Sequence, residues 1–384
     1  MRFRVGIPSD GVGAHVRGGF QELGEVLVWG LRGLGHEAAL DRDVLWRAGE
    51  TTIVLCPNAL FYRDRGYRLP TGAGTVVYNL EQHGTEHIGL VARLAQQPGA
   101  ALWEYSSSNF GFWDALGVTY AHVPVGYSPT LTWAAAPEKD VDVVFTGTRS
   151  PRRQAVLDDL ASSGLRVEAR WTHVNGAFGD ERNALVARSR LLLNVHMYEA
   201  RVFEATRAMN ALANRVPVVT EESSDDRDYE WLDGGVVRAP YGGLADACRA
   251  LLADPARLRA VGEAGFERFS RRPEEDLLRA ALAASPPSRS PVTAPSAGAA
   301  RPQQQPWRRD ALGNSINRLR GLGWNFVAPL PRGSPRLAEL EALYPDHATE
   351  TVEGGEGGAV VLFCAMKGLP PTRLSAYRDK ERGG

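Results

Sequence analysis

Short apolar runs alternate with segments of helical spacing along the first third of the chain. Continuous apolar runs of about five residues are typical of strands buried on both faces, and an apolar period near that of an α-helix indicates helices packed beside them. This alternation favours a parallel sheet with helices on both faces. The predicted strands are 3–7, 52–56, 75–80 and 100–105, and the predicted helices are 20–35 and 107–117.

The same alternation restarts near residue 140. A strand, a glycine turn and a helix open this second half, and two helices close it over 243–272. The polar, proline-bearing segment 128–140 separates the two halves, each of ordinary domain size. We therefore expect one α/β domain at 1–132 and another at 138–284. The later strands of the second half are predicted at 165–171, 191–193 and 216–220, and the helices between them at 180–190 and 201–213.

The composition changes after residue 284. Segment 285–306 is poor in apolar residues and rich in Pro, Ser, Ala and Gln, which is typical of a disordered linker. The remaining tail, 307–384, is too short to predict a third domain. It contains one segment of helical spacing, 334–344, and one strand-like run, 359–366.

Polar side chains concentrate where each predicted strand of the second half ends. The carboxyl ends of parallel strands meet at one edge of a sheet, which is where open α/β sheets bind ligands. We therefore expect these residues to form a binding site, although the Arg residues could instead lie in water and His196 could be structural. The candidates are Gly147, Thr148, Arg149, Arg152, His173, Asn194, His196, Tyr198, Glu199 and Glu221.

The predicted helix 201–213 has one apolar stripe, formed by Val202, Ala205, Met209 and Leu212. Glu204 and Arg207 lie three residues apart on the opposite side, so their side chains can pair. The first turn of a helix offers free N–H groups and a positive dipole end, which suit a phosphate or diphosphate. The alternative is an ordinary solvated ion pair.

The first half carries a glycine-rich segment, 8–20, directly after its first strand. Gly18 and Gly19 would let the backbone approach a ligand closely, and His15 is a candidate base because histidine titrates near neutral pH. Asn79, Glu81 and Gln82 follow at the end of the predicted strand 75–80. There they could line the same ligand cleft as the glycine-rich segment.

The charge, the cysteines and the lengths of the apolar runs exclude several classes of protein. A net charge of −1 argues against nonspecific nucleic-acid binding, which needs a strongly basic face. The three cysteines are scattered and have no metal-ligand spacing. No apolar run approaches the roughly 20 residues of a membrane span, and no signal peptide is visible. We therefore expect a cytoplasmic protein without a transmembrane segment, for which peripheral membrane contact remains open.

The segments "VVFTGTRSPRRQAVLDDL" and "ARSRLLLNVHMYEARVFEATRAMNALANRVPVVTEESSD" resemble the donor half of GT-B glycosyltransferases. "YNLEQ", "WEYSSSN" and "VPVGY" are similar to patterns in bacterial proteins of this type. The resemblance covers roughly residues 1–275 and implies two Rossmann-like domains that face a cleft. It also implies transfer of a sugar from a nucleotide diphosphate to an unidentified acceptor, without a metal or other cofactor.

The resemblance also implies roles for individual residues. Arg149 and Arg207 would stabilise charge on the departing diphosphate, and His15 would take the acceptor proton if the mechanism inverts. The acceptor side would include Gly18, Gly19, Asn79 and Glu81. The donor would be bound by Gly147, Thr148, Arg152, His173, Asn194, His196, Tyr198, Glu199, Glu204 and Glu221.

The chain departs from the commoner GT-B pattern of two glutamates with seven residues between them. Val202 and Asn210 stand at those positions, so Glu199 or Glu204 would take the ribose role. A noncatalytic scaffold of the same fold that binds a nucleotide or glycan is therefore an alternative, and a nucleotide-sugar epimerase is another. The tail segment "GGAVVLFCAMKGLPPTRLSAYRD" resembles the first strand and turn of a GT-A family 2 glycosyltransferase.

Overall fold

The computed structural model describes residues 1–8, 14–63, 66–70, 74–133, 138–172 and 178–284, and three strands beyond residue 325. The chain divides into two compact units, 1–294 and 295–384. The larger unit contains two parallel α/β sheets. Within the described ranges, no helix combines the length and the apolar character that crossing a membrane requires.

The first sheet has six parallel strands in the spatial order β2-β1-β3-β4-β5-β6. Strand β4 is buried along its whole length, as its continuous apolar run predicts. The strands are β1 (Arg2–Gly6), β2 (Glu37–Asp41), β3 (Thr51–Val54), β4 (Gly74–Asn79), β5 (Ala100–Glu104) and β6 (Tyr120–His122). The helices are α1 (Ala14–Gly33), α2 (Leu60–Arg63), α3 (Glu86–Ala95) and α4 (Phe110–Ala115).

The second sheet has five parallel strands in the order β11-β10-β9-β7-β8. Its polar strand ends therefore do share one edge. The strands are β7 (Val141–Gly147), β8 (Val167–Trp171), β9 (Ser189–Asn194), β10 (Val218–Glu221) and β11 (Val237–Ala239). The helices are α5 (Pro151–Ser162), α6 (Asp180–Arg188), α7 (Ala205–Ala213), α8 (Leu244–Ala253) and α9 (Pro255–Ser270).

Helix α7 begins four residues later than its sequence pattern predicts. Arg201 has a φ of +47°, which is not helical, and Glu204 is the N-cap residue. Val202 and Phe203 are nevertheless buried in the core ahead of the helix. The apolar stripe is therefore real, but its first member belongs to the connection that leads into α7.

The last helix of this unit, α10 (Glu274–Ala284), follows the second sheet in sequence but packs against α1 of the first half. Gly30 makes this close packing possible, because a Cβ atom there would lie 2.8 Å from Leu278 Cδ1. The domain predicted at 138–284 thus ends in a helix that packs on the first half of the unit.

Glu274, at the start of α10, is a fully buried carboxyl group. The Gly126 N–H donates to Oε2 at 2.7 Å, and Oε1 has no partner among the described residues. Burial raises the pKa of Glu274 to about 8, against which the Gly126 hydrogen bond acts. The folded protein therefore holds this side chain protonated at neutral pH.

Because the pKa of Glu274 is raised on folding, its contribution to stability is complete below about pH 4 and is lost as the pH rises through about 8. Each pKa unit corresponds to about 1.4 kcal/mol. We expect the unfolding free energy of wild type, relative to Glu274→Gln, to fall by a few kcal/mol over this window. Urea denaturation at several pH values measures it, with the less buried Glu275→Gln as control. A constant difference would contradict the assignment.

The smaller unit contains a three-stranded antiparallel sheet in the order β12-β14-β13. Its strands are β12 (Phe326–Pro331), β13 (Ala348–Glu353) and β14 (Ala359–Ala365). Strand β14 coincides with the predicted strand 359–366. The predicted linker 285–306 and helix 334–344 lie outside the described residues.

Candidate functional site

A cleft of about 510 Å³ lies between the two halves of the larger unit. The strand-end loops of both sheets open into it, as expected for parallel sheets. Its first wall consists of α1 and the loops after β3, β4 and β5, and includes Gly19, Phe20, Glu22, Leu23, Cys56, Asn58, Leu80, Glu81, Gln82, His87 and Tyr105. Its second wall includes Thr146, Gly147, Thr148, Arg153, Thr172, Phe178, Arg182, Met197, Tyr198, Glu204, Thr206 and Arg207.

Glu204 joins two guanidinium groups at the second wall. Arg153 Nη2 donates to Glu204 Oε1 at 2.5 Å, and Arg207 forms an ion pair with the other oxygen. Arg207 also donates to Asn194 Oδ1 at 2.5 Å. The side chains of Arg153 and Arg207 are only 2% and 9% exposed, so the alternative of a solvated pair is wrong.

The electrostatics of this cluster follow from its burial and mutual contacts. Burial alone would raise the pKa of Glu204, but Arg207 and Arg153 outweigh it and hold that pKa below its usual value. Burial lowers the pKa of Arg207 to about 10, so the guanidinium stays charged near pH 7. The cluster of Glu204, Arg153 and Arg207 therefore carries one net positive charge beside the cleft.

Gly147 gives Arg207 the space to lie at the end of β7. Gly147 has a φ of +149°, and a Cβ atom there would lie 2.5 Å from Arg207 Nη2. The ring of Phe145, on the same strand, lies 5.0 Å from the Arg207 guanidinium carbon. A glycine at the strand end thus permits a guanidinium to pack over the strand.

Arg152, His196 and Glu221 form a separate contact set that does not line the cleft. Arg152 Nη1 donates to Glu221 Oε2 at 2.5 Å and packs over the Tyr241 ring at 4.0 Å. Glu221 Oε2 also accepts the His196 N–H at 3.1 Å. Burial lowers the pKa of His196, which favours the neutral imidazole. Arg152 and Glu221 therefore hold the backbone of the loop after β9 at His196, away from the cleft.

The remaining second-half candidates divide between the cleft and the surface. Thr148 and Tyr198 line the cleft. Arg149 and Glu199 are exposed, and Arg149 donates to Gln154 at 3.1 Å instead of facing the cleft. His173 lies outside the described residues.

Two of the five glycines of α1, Gly18 and Gly19, lie at the contact between the halves. A Cβ atom on Gly18 would lie 2.9 Å from Phe178 Cβ, and one on Gly19 would lie 2.5 Å from Phe178 Cε1. Gly19 also lines the cleft, whereas Gly18 does not. His15 falls in the first turn of α1, but its side chain is outside the described part of the structure.

Glu22 of α1 joins the halves at the edge of the cleft. It pairs with Arg182 of α6 and accepts a hydrogen bond from Asn210 Nδ2 of α7 at 3.1 Å. Asn210, which stands at a usual glutamate position of the GT-B pattern, therefore contacts the opposite half. Neither Glu22 nor Arg182 was among the predicted site residues, because such a contact becomes visible only when the two halves are brought together.

The loop after β4 is fixed by a buried carboxyl group, Glu104, which was not among the predicted site residues. Glu104, at the end of β5, accepts from Asn79 at 2.7 Å, Asn109 at 2.9 Å, Trp113 at 2.5 Å and the Ser106 N–H at 2.9 Å. Burial raises the pKa of Glu104 to about 7, with these donors acting in the opposite direction. The available signal was an acidic residue ending an otherwise apolar strand.

Asn79 and Asn109, which donate to Glu104, also hold the backbone of Glu81 at the cleft wall. Both side chains donate to the Glu81 carbonyl, at 3.0 and 2.9 Å, and Asn79 Oδ1 accepts the Glu81 N–H at 3.1 Å. Asn79 itself does not line the cleft, whereas Glu81 does. Among the described side chains, no group of three or more His, Cys, Asp or Glu residues is arranged to hold a metal ion.

Residues 134–274 match a protein-family model described as "Glycosyl transferase-like". This second half is a glycosyl transferase-like domain. The match contains the cluster of Glu204, Arg153 and Arg207 and every strand of the second sheet. It ends before the tail, so the likeness of the tail to a GT-A domain stays a prediction.

Two relatives from Acanthamoeba polyphaga mimivirus match parts of the chain, and both are uncharacterized proteins. One is 36% identical over 105 residues, which cover 27% of this chain and 12% of that protein. The other is 29% identical over 144 residues, which cover 35% of this chain and 45% of that protein. The chain therefore spans less than half the length of these relatives.

The solved structure of Anabaena HepE in complex with UDP-glucose is similar to the glycosyltransferase fold seen here. The likeness covers 74% of this chain and 100% of HepE, with a TM-score of 0.50 and 11% sequence identity. At that identity the comparison shows the fold, and it agrees with two Rossmann-like halves of GT-B type.

Proposed function

We propose that the protein transfers a glycosyl group from a nucleoside-diphosphate sugar to an acceptor hydroxyl, with the diphosphate bound at the second wall of the cleft. The observation that carries this proposal is the position of Arg207. Its guanidinium lies beside Gly147 at the end of β7 and borders the cleft. A glycosyltransferase domain with a cationic strand end at its cleft suits a diphosphate-linked donor.

The chemistry needs stabilisation of negative charge. When the bond between the anomeric carbon and the diphosphate oxygen breaks, the bonding electrons stay on the diphosphate, and preorganised donors stabilise that charge. Thr206 and Arg207, the second and third residues of α7, border the cleft, so the positive end of this helix opens onto it. Arg207 and the α7 N-terminus would act together on the leaving group.

The same groups support a reaction that needs no metal. Arg207 and Arg153 bring two guanidinium charges to the wall, and Glu204 neutralises one of them. The remaining charge and the helix end oppose the diphosphate charge directly. If this is correct, an excess of EDTA leaves turnover unchanged, whereas a strict dependence on added Mg²⁺ or Mn²⁺ would contradict it.

Arg207→Gln should weaken UDP binding by about 30-fold, because a hydrogen bond to a charged group contributes about 1.5–3 kcal/mol. Calorimetric titration with UDP and UDP-glucose measures the effect; UDP-glucose is the first donor to try because it is the ligand in the HepE structure. Arg149→Gln is the matched control, since its guanidinium is exposed and outside the cleft.

Circular dichroism establishes that each variant is folded, and Arg207→Lys provides a second variant that keeps the charge but loses the planar fork. We expect Arg207→Lys to bind UDP with intermediate affinity. Equal losses in the Arg207 and Arg149 variants, or none in either, would place the diphosphate elsewhere.

A further inference from the structure

Polar contacts join the loop after β5 in the first half to the loop after β10 in the second half. The Ser106 hydroxyl donates to Asp225 Oδ2 at 2.7 Å, and the Ser107 N–H donates to Asp228 Oδ2 at 3.1 Å. Ser106 and Asp225 are buried, and neither lines the cleft. The first half therefore holds the loop after β10 through a buried carboxyl group.

The loop after β10 also holds the connection that leads into α7. Asp225 Oδ1 accepts the Phe203 N–H at 2.8 Å. The Ser224 N–H donates to the Arg201 carbonyl at 2.8 Å, and the Ser224 hydroxyl donates to the preceding carbonyl at 2.6 Å. Three hydrogen bonds to Ser224 and Asp225 thus fix the segment 200–203.

The backbone of this segment needs such support. Arg201 has a φ of +47°, a left-handed conformation that a non-glycine residue keeps only where surrounding contacts hold it. Phe203 is followed directly by Glu204, the N-cap residue of α7 and the partner of Arg153 and Arg207. A shift of Phe203 would therefore displace the cluster of Glu204, Arg153 and Arg207.

We propose that Asp225 is a positioning residue for the donor diphosphate. Held by Ser106 of the first half, it fixes the Phe203 N–H and with it the start of α7. Arg207, in the first turn of α7, then meets the diphosphate in one fixed position, as a preorganised charge must. The inference rests on the proposed transferase function, and it adds that the first half takes part in forming the donor site.

The link from the first half to α7 is tested by amide hydrogen exchange in the full chain without nucleotide. Ser106→Ala removes the hydroxyl that reaches Asp225. We expect the amides of Phe203 and Ala205, the latter bonded to the Phe203 carbonyl, to exchange about tenfold faster than the change in global unfolding allows. Unchanged exchange at both amides would overturn the link, whether or not the protein binds a nucleotide.

The effect on the donor site is tested by calorimetric titration with UDP. Asp225→Ala should weaken UDP binding about tenfold, a size typical of residues in one hydrogen-bond network. Asp225→Asn should bind UDP to within about twofold of wild type, because its amide can accept from the Phe203 N–H and donate to the Ser106 hydroxyl. Asp228→Ala is the matched control, since Asp228 belongs to the same contact but holds, among the described residues, no part of segment 200–203.

A double-mutant cycle shows whether Asp225 acts through Arg207 or only supports the fold. In the Arg207→Gln background, Asp225→Ala should lower UDP affinity by no more than about twofold, since the group that it positions is already lost. A purely structural role would lower the affinity about equally in both backgrounds. Circular dichroism establishes that each variant is folded, and Ser106→Ala replaces Asp225→Ala in the cycle if the latter does not fold.

The outcomes separate the positioning role from the transferase function. Additive losses in the cycle, equal losses in Asp225→Ala and Asp228→Ala, or wild-type affinity in Asp225→Ala would each overturn the positioning role. A wild-type protein that binds none of UDP, GDP and ADP would instead overturn the proposed transferase function and the role at the diphosphate with it, while faster exchange at Phe203 in Ser106→Ala would still support the link between the halves.

Discussion

Replacement of Glu204 by alanine is expected to lower the free energy of unfolding by about 3–5 kcal/mol, the cost of leaving buried charge without its partner. The carboxylate lies between Arg153 and Arg207, whose side chains are 2% and 9% exposed. Without it, two guanidinium groups face each other away from water.

Urea denaturation of the purified variants measures the loss directly. Glu199→Ala is the control, because Glu199 is an exposed acidic residue of the same segment and should change stability by no more than about 0.5 kcal/mol. Glu204→Gln keeps an acceptor oxygen but loses the charge, so its stability should fall between wild type and Glu204→Ala. Unfolding of Glu204→Ala at the wild-type urea concentration would show that the cluster is not coupled as described.

Replacement of Glu104 by leucine should lower stability by about 3 kcal/mol or more, because each buried donor left unpaired costs about 1–3 kcal/mol. Four donors lose their acceptor: the side chains of Asn79, Asn109 and Trp113 and the Ser106 N–H. Asn79 and Asn109 also hold the Glu81 backbone. The loop that carries Glu81 and Gln82 should therefore lose its fixed position.

Hydrogen exchange distinguishes this effect from a general loss of stability. The amides of Glu81 and His83, bonded to Asn79 and Asn109, should exchange faster in Glu104→Leu than the change in global unfolding allows. Asp114→Ala, which removes an exposed carboxylate of the same half, is the control. Unchanged local protection in a stable Glu104→Leu variant would mean that Glu104 does not order the loop.

The two sheets could be predicted from sequence because most of their strands are buried on both faces and therefore read as continuous apolar runs. Strand β2 was missed because only Ala38 of its five residues is buried, as suits a strand at the sheet edge. Helix α10 shows a different limit, since its partner α1 lies far away in the sequence. Periodicity shows that an element has an apolar face but does not show what covers it.

The sequence predicted where along each strand the cleft residues lie, but not which side chains face the cleft. Strand ends indicated Gly147, Thr148 and Tyr198, which do border the cleft. The sequence did not show in which direction each side chain points from its helix or strand. Arg152 and Arg153 are adjacent on α5 and so lie about 100° apart around its axis; Arg153 borders the cleft, and Arg152 turns to Glu221.

Glu204 and Arg207 also show that the sequence does not reveal what surrounds a side chain. The apolar stripe on the other face of the predicted helix left a solvated ion pair as the alternative to a ligand-binding role for these two residues. The exposed fraction of 9% for the Arg207 side chain reflects the strand end and buried neighbours that surround it, which the spacing of residues within α7 does not reveal.

The most direct measurement is the release of nucleoside diphosphate from UDP-, GDP- and ADP-glucose incubated with the full chain and methyl α-D-glucopyranoside, followed by mass spectrometry. We expect one donor to be consumed, with a matching disaccharide product, in the presence of EDTA, and we expect Arg207→Gln to be far slower than Arg149→Gln. A wild-type protein that binds a nucleotide in the cleft but consumes none of these donors would contradict the transferase function and favour a noncatalytic scaffold.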